Sequence, residues 1–202
     1  MGMEAQYLRT LAYGLKGYLA NAENLEKIIV THSLAAAGAA IASGWVTGVG
    51  GAIASGLAFG FVVSMYYKIC IECNIKISKN ILKALASVVV AEIAAYLGVI
   101  IAAEIALSFI PGLGNLGASF IAGVVNFGMV YVAGTLFLKM MVSVFKANGN
   151  IDNISEEELK NIMKNISTKD NIKEAYNESK SVYKDAKKDG SYNTENIKPS
   201  ED

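Results

Sequence analysis

Two long stretches without a charged side chain constrain this chain more than any other feature. Residues 28–67 form a run of 40 residues with no Asp, Glu, Lys or Arg, and residues 105–138 form a second run of 34. A helix needs about 20 mostly apolar residues to cross a bilayer, so each run is long enough for two helices. A soluble helical bundle would have to cover both runs with polar segments, and the sequence has few of these.

Composition indicates that the apolar runs are helical. The chain has only 2 prolines in 202 residues, and it is rich in Ala, Ile, Val and Leu. Each run is broken once by turn-forming residues, because glycine weakens a helix and proline stops one. The first break is the glycine-rich segment 44–51 and the second is 110–115, with a turn at Pro111, Gly112 and Gly114. We therefore predict an all-α fold of two glycine-rich apolar helical hairpins, with helices at about 28–44, 51–70, 78–109 and 116–146.

Charge is distributed unevenly along the chain. Lys plus Arg and Asp plus Glu are equal at 18 each, and this balance argues against nucleic acid as a partner. The last 56 residues hold 21 of the 36 charged side chains. We therefore divide the chain into an amphipathic entry helix (1–27), an apolar hairpin module (28–146) and a polar tail (147–202). The tail is predicted to contain two short helices, one capped by Ser155 and one at about 170–188, and a disordered end.

Lysines lie at one end of the predicted hairpins and not at the other. The connector between the hairpins carries four of them, and the two glycine-rich tips carry no charge; the connector lysines are Lys68, Lys76, Lys79 and Lys83. By the positive-inside rule, this pattern predicts a membrane-embedded protein with both termini in the cytoplasm and with these lysines near lipid headgroups. Hairpins that enter and leave on the same side are an alternative to four crossings.

Small residues recur at spacings that let helices approach closely. Such spacing supports helix association within lipid; the pairs are Gly44 and Gly48, Gly56 and Gly60, and Ser119 and Gly123. Packing between the chain's own helices is the favoured interpretation. Assembly of several copies into a homo-oligomer or a glycine-zipper pore is the alternative.

The third apolar helix carries two acidic residues, Glu92 and Glu104. An ionised carboxylate is costly in lipid, so both are predicted to face protein or water as intramembrane polar groups. Asn126, Tyr131 and Thr135 of the fourth helix are the predicted partners. At 100° per residue the two carboxylates lie on different faces, so a paired acid/base site is not predicted.

No motif in the sequence predicts catalysis, a cofactor or a metal. Cys70 and Cys73 have redox-like spacing but no βαβ context, and His32 alone does not complete a zinc site with them. A G-x-G-x-x-G match at 112–117 follows a helix and not a strand, so it does not predict a dinucleotide site. We predict that the protein is not an enzyme and has no cofactor.

Three local sequences resemble the uncharacterised helical membrane module associated with Era-like GTPases and YcjF-type inner-membrane proteins. They are the Leu25–Ile29 lead-in, the Met65–Tyr67 helix end, and Ile110–Gly114 followed by Gly117, Gly123 and Gly134. The resemblance covers about 120 residues and implies a bacterial cytoplasmic membrane location, with any GTPase partner acting in trans. It implies no catalytic residue.

Together these observations predict a non-enzymatic membrane module. Its partners would be membrane lipid, further copies of itself, or a cytoplasmic protein bound by the tail. A membrane-permeabilising glycine-zipper protein and a soluble helical bundle are the two alternatives.

Overall fold

The computed structural model describes residues 6–42, 50–108, 114–151, 154–190 and 193–200. Side chains at 50–55, 99–108 and 114–122 lie outside this description. In the described part the fold is all-helical, with no strand, as predicted. Within these ranges seven α-helices follow one another: α1 Gln6–Leu15, α2 Leu25–Ala42, α3 Gly50–Glu72, α4 Lys79–Ser108, α5 Gly114–Asn148, α6 Glu156–Ile166 and α7 Lys169–Asp189.

The entry helix is shorter than predicted. It ends at Leu15, and a loop and a short 3₁₀ turn at Ala22–Asn24 separate it from α2. Gly17 lies in this loop, and Asn21 adopts the left-handed backbone conformation at φ 52°, which a continuing right-handed helix cannot accommodate. Leu15 and Leu19 remain buried, so the loop still packs against the bundle.

α2 and α5 form the centre of the bundle and pack against each other more extensively than any other pair. Ile29 of α2 lies against Gly134 of α5, and Ile41 lies against Gly123, so the two helices run antiparallel. α3 joins them, because the Tyr66 hydroxyl donates to the Ala133 carbonyl (3.0 Å) and the Tyr66 ring stacks on Phe137. The main partner of α2 is therefore a helix from the other predicted hairpin. Gly44 and Gly48 of the first predicted tip, and Pro111 and Gly112 of the second, lie outside the described residues. Gly114, predicted to lie in the second turn, is the first residue of α5.

The polar C-terminal helices pack along the apolar bundle. α6 contacts α4 and α5, and α7 lies mainly on α5. The Ser155 hydroxyl accepts from the Glu158 N–H and caps α6, as the sequence predicted. α7 presents one buried stripe to the bundle: Ile172, Ala175, Tyr176, Ser179, Val182, Tyr183 and Ala186.

The C-terminal segment 193–200 also lies against the bundle, although the sequence predicted disorder there. We call it the C-terminal strap. The Ser200 N–H donates to the Gly60 carbonyl (3.0 Å), and Ile197 packs against the core. A Cβ on Gly60 would lie 2.7 Å from the Pro199 Cβ, so the strap sits where only glycine leaves room.

Candidate functional site

Among the residues that the structure describes, three helices are long and apolar enough to cross a membrane, but their surfaces are covered to different extents. In the most apolar stretch of α5, 83% of the residues are buried, and in that of α2 the share is 61%. In the most apolar stretch of α4 only 39% of the residues are buried. A helix that is apolar all round lies either in a protein core or in lipid. For α2 and α5 the chain itself supplies the surroundings, so α4 is the helix whose apolar surface lacks a cover among the described residues.

The uncovered surface of α4 is a face of small side chains. Beyond its first turn, the exposed positions recur three or four residues apart, at Ser87, Ala91, Ala95 and Gly98. The opposite face packs into the core through residues such as Leu82, Leu85 and Val89. The Ser87 hydroxyl donates to the Lys83 carbonyl (2.9 Å), so the face presents no unsatisfied hydroxyl. We call it the α4 outer face.

Two large exposed side chains, one aromatic and one aliphatic, lie close in sequence to the connector lysines. Tyr67 and Ile71, one turn apart at the end of α3, are 51% and 56% exposed. Lys68 pairs with Glu72 (3.3 Å), and Asn24 also donates to Glu72 (2.8 Å). These contacts lower the pKa of the Glu72 carboxyl.

The other connector lysines are Lys76, Lys79 and Lys83. Lys76 and Lys79 are exposed, and Lys83 is half-buried. No described acidic residue forms an ion pair with any of the three. The connector between α3 and α4, together with the adjoining helix ends, is therefore basic and partly apolar.

On the α7 side, one half-buried carboxylate ties three helices together. Glu178 of α7 accepts from the backbone N–H of Tyr7 (2.7 Å) at the start of α1 and from the Tyr131 hydroxyl of α5 (3.0 Å). A carboxylate is favoured at a helix N-terminus because the first N–H groups lack partners there. Burial raises the pKa of Glu178, and these hydrogen bonds oppose the rise.

This raised pKa predicts a pH-dependent stability. A carboxyl whose folded-state pKa exceeds its unfolded value binds more protons when folded, so its contribution to stability falls as pH rises through the folded-state pKa. We expect wild-type protein to lose more stability than Glu178→Gln as pH is raised from about 4.3, the ordinary Glu value, towards neutrality. Urea unfolding midpoints across this range measure the effect. Identical pH profiles for the two proteins would contradict it.

The glycine pairs predicted from the sequence are only partly described. Gly60 and Gly123 pack within the chain: Pro199 lies against the first, and Ile41 and Tyr183 lie against the second. Gly56 is exposed, with open space where a Cβ would lie. Gly44 and Gly48 lie outside the described residues, as does the side chain of Ser119.

The predicted intramembrane polar residues are not brought together where they are described. Glu92 is half-buried on a flank of α4 and forms no hydrogen bond with a described residue. Its predicted partners have other surroundings: Asn126 is 1% exposed, the Thr135 hydroxyl donates to the Tyr131 carbonyl, and Tyr131 binds Glu178. The Glu104 side chain lies outside the description.

Two glycine contacts that position α5 were not predicted from the sequence. A Cβ on Gly128 would lie 2.5 Å from the Tyr176 Cε2, and one on Gly134 would lie 2.8 Å from the Ile29 Cγ1. The signal was present in the sequence, because both glycines interrupt an otherwise bulky helix. Their partners lie far away along the chain, so the spacing of the glycines alone does not identify them.

The two cysteines and the histidine are buried within the helical bundle. Cys70 and Cys73 are both free and buried, and burial raises the pKa of the Cys73 thiol to about 11, which keeps it protonated at neutral pH. The His32 Nδ1 lies 2.8 Å from the Ile28 carbonyl, within its own helix. Within the described residues no group of three or more His, Cys, Asp or Glu side chains could hold a metal ion.

The described surface is thus divided in two. Charged helix α7 and the C-terminal strap lie over α5 and α3, whereas the α4 outer face and the neighbouring lysines stay uncovered. Comparison with known protein families, with curated proteins and with solved structures finds no match to the chain.

Proposed function

We propose that this chain is a non-enzymatic membrane-associated module that contacts lipid through one side of a helical bundle. The α4 outer face is the observation that carries this proposal. It exposes small and apolar groups over several turns, and an apolar surface of this kind is favoured against hydrocarbon and not against water. α2 and α5 form the protein interior of the module, and α7 faces water.

The charges on α7 favour a bundle that binds the membrane from one side and disfavour a bundle whose helices cross it four times. Eleven of its 21 residues are charged, and its outward side chains, including Lys173, Glu174 and Lys184, are exposed. A charged helix placed in hydrocarbon beside α5 would be very costly. Four crossings would therefore require α7 and the C-terminal strap to leave the positions they occupy here.

Membrane fractionation tests the proposal. We expect the full-length protein, expressed in a bacterial cell, to sediment with membranes in low-salt buffer. Recovery in the supernatant would contradict membrane association and favour the soluble bundle. A carbonate wash then separates the two arrangements, because release is expected of a bundle bound from one side and retention of helices that cross.

Location and partner remain part of this proposal. The lysine distribution and the resemblance to the YcjF-type module support the bacterial cytoplasmic membrane, with both termini in the cytoplasm. The exposed outer surface of α7 supports recruitment of a cytoplasmic protein, which the same resemblance suggests is a GTPase acting in trans. Co-purification with and without residues 156–200 tests that role for the C-terminal helices.

The glycine-zipper pore has less support. Gly60 and Gly123, two of the glycines on which it rests, are occupied by contacts within the chain. Release of dye from liposomes by the purified protein, abolished by Gly56→Leu, is the result that would favour the pore over a one-sided module.

A further inference from the structure

We propose that the α3–α4 corner is a docking surface for anionic lipid headgroups. The corner is defined as Tyr67, Lys68, Ile71, Lys76, Lys79 and Lys83. This inference rests on the proposed membrane association and adds to it the chemistry of the lipid and the point of contact.

The corner carries more positive than negative side chains. The corner holds four lysines, and Glu72 is the acidic residue that lies among them in the sequence. Glu72 already pairs with Lys68 (3.3 Å), so Lys76, Lys79 and Lys83 are left without an ion-pair partner among the described residues. Lysines close to an anionic membrane surface each contribute about fivefold to affinity.

Exposed apolar groups distinguish a membrane surface from a purely ionic partner. Tyr67 and Ile71 are 51% and 56% exposed, although large apolar side chains are usually buried. A tyrosine beside lysines is typical of the interface between water and lipid, where the ring meets the acyl boundary and the hydroxyl stays hydrated.

Lys83 joins the corner to the α4 outer face. Lys83 lies one turn before Ser87, and the exposed small residues follow from there along α4 towards Gly98. The lysines at the start of α4 match the headgroup layer of a bilayer. The uncovered apolar face farther along the helix matches the acyl chains. An acidic protein would match the lysines but not the length of the apolar face.

Vesicle sedimentation with the full-length protein tests the inference. The two probes are vesicles of phosphatidylcholine alone and vesicles of equal parts phosphatidylcholine and phosphatidylglycerol. We expect tighter binding to the second, weakened by salt. The triple variant Lys76→Gln, Lys79→Gln, Lys83→Gln should bind it about 100-fold more weakly. The matched control Lys173→Gln, Lys184→Gln, Lys188→Gln changes three exposed lysines of α7 and should bind like the wild type.

A site-specific label provides a readout that does not depend on removing charges. An environment-sensitive dye on Ile71→Cys, in a Cys70→Ala, Cys73→Ala background, should shift to the blue with anionic vesicles, whereas the dye on Lys184→Cys should not. Equal binding to both vesicles, or equal loss in the α7 control, would overturn the corner as the site and leave membrane association standing. Absence of binding to either vesicle, with capture of an acidic protein instead, would overturn both proposals.

Discussion

Replacing Tyr176 with alanine should detach α7 from α5 and lower the free energy of unfolding by about 3–5 kcal/mol, the usual cost of truncating a fully buried aromatic side chain. Tyr176 is 1% exposed, and its ring lies directly against Gly128 of α5. Gly128 itself has no side chain that could fill the vacated space. Urea unfolding measures the loss of stability, and limited proteolysis between α5 and α6 measures the release of α7.

Tyr13→Ala is the matched control, because Tyr13 is 73% exposed. It should change stability by no more than about 0.5 kcal/mol and should leave α7 protected from protease. If Tyr176→Ala is as stable and as protected as this control, the packing of α7 on α5 is not the arrangement in solution.

Replacing Gly134 with leucine should separate α2 from α5 and cost about 3 kcal/mol, the upper end of the range for overpacked cores. A Cβ at this position would lie 2.8 and 2.9 Å from the Ile29 Cγ1 and Cγ2, and Ile29 is completely buried. The two helices must therefore move apart. Thermal and urea unfolding give the magnitude.

Gly98→Leu provides the comparison, since Gly98 of α4 has open space where a Cβ would lie. Leucine is a better helix former than glycine by about 0.8 kcal/mol, so this variant should be slightly more stable than the wild type. The double variant Ile29→Ala, Gly134→Leu should lose less than the sum of its single changes, because truncation of Ile29 makes room. Strict additivity would argue against the α2–α5 contact.

Helix positions could be predicted well from the sequence, because the signals that start and end a helix lie within a few residues of its ends. The apolar runs, the glycine and proline breaks and the Ser155 cap act within a few residues, so the predicted helices at 28–44 and 51–70 correspond to α2 and α3 within three residues at each end. α1 was predicted too long because its apolar spacing continues past Leu15, while the left-handed backbone of Asn21 ends the helical path.

Contacts between distant helices could not be predicted in this way. The stripe of α7 was recognised as amphipathic, but nothing near it indicates that its partner is α5. The partner is set by Gly128 and Gly123, whose missing side chains leave room for Tyr176 and Tyr183. The same limitation applies to the candidate site: the connector lysines were identified, whereas the exposure of Tyr67, Ile71 and the α4 outer face depends on which neighbours pack elsewhere.

The pairing of α2 with α5 has a consequence for biosynthesis. α2 leaves the ribosome early, but its principal neighbour is translated only after α3 and α4 have been completed. Pairing between helices that are distant in sequence slows folding. Until α5 has been synthesised, the nascent chain exposes the apolar surface of α2. A chaperone or the translocation machinery would have to shield that surface during elongation, so depletion of either should affect the yield of this protein before it affects its final shape.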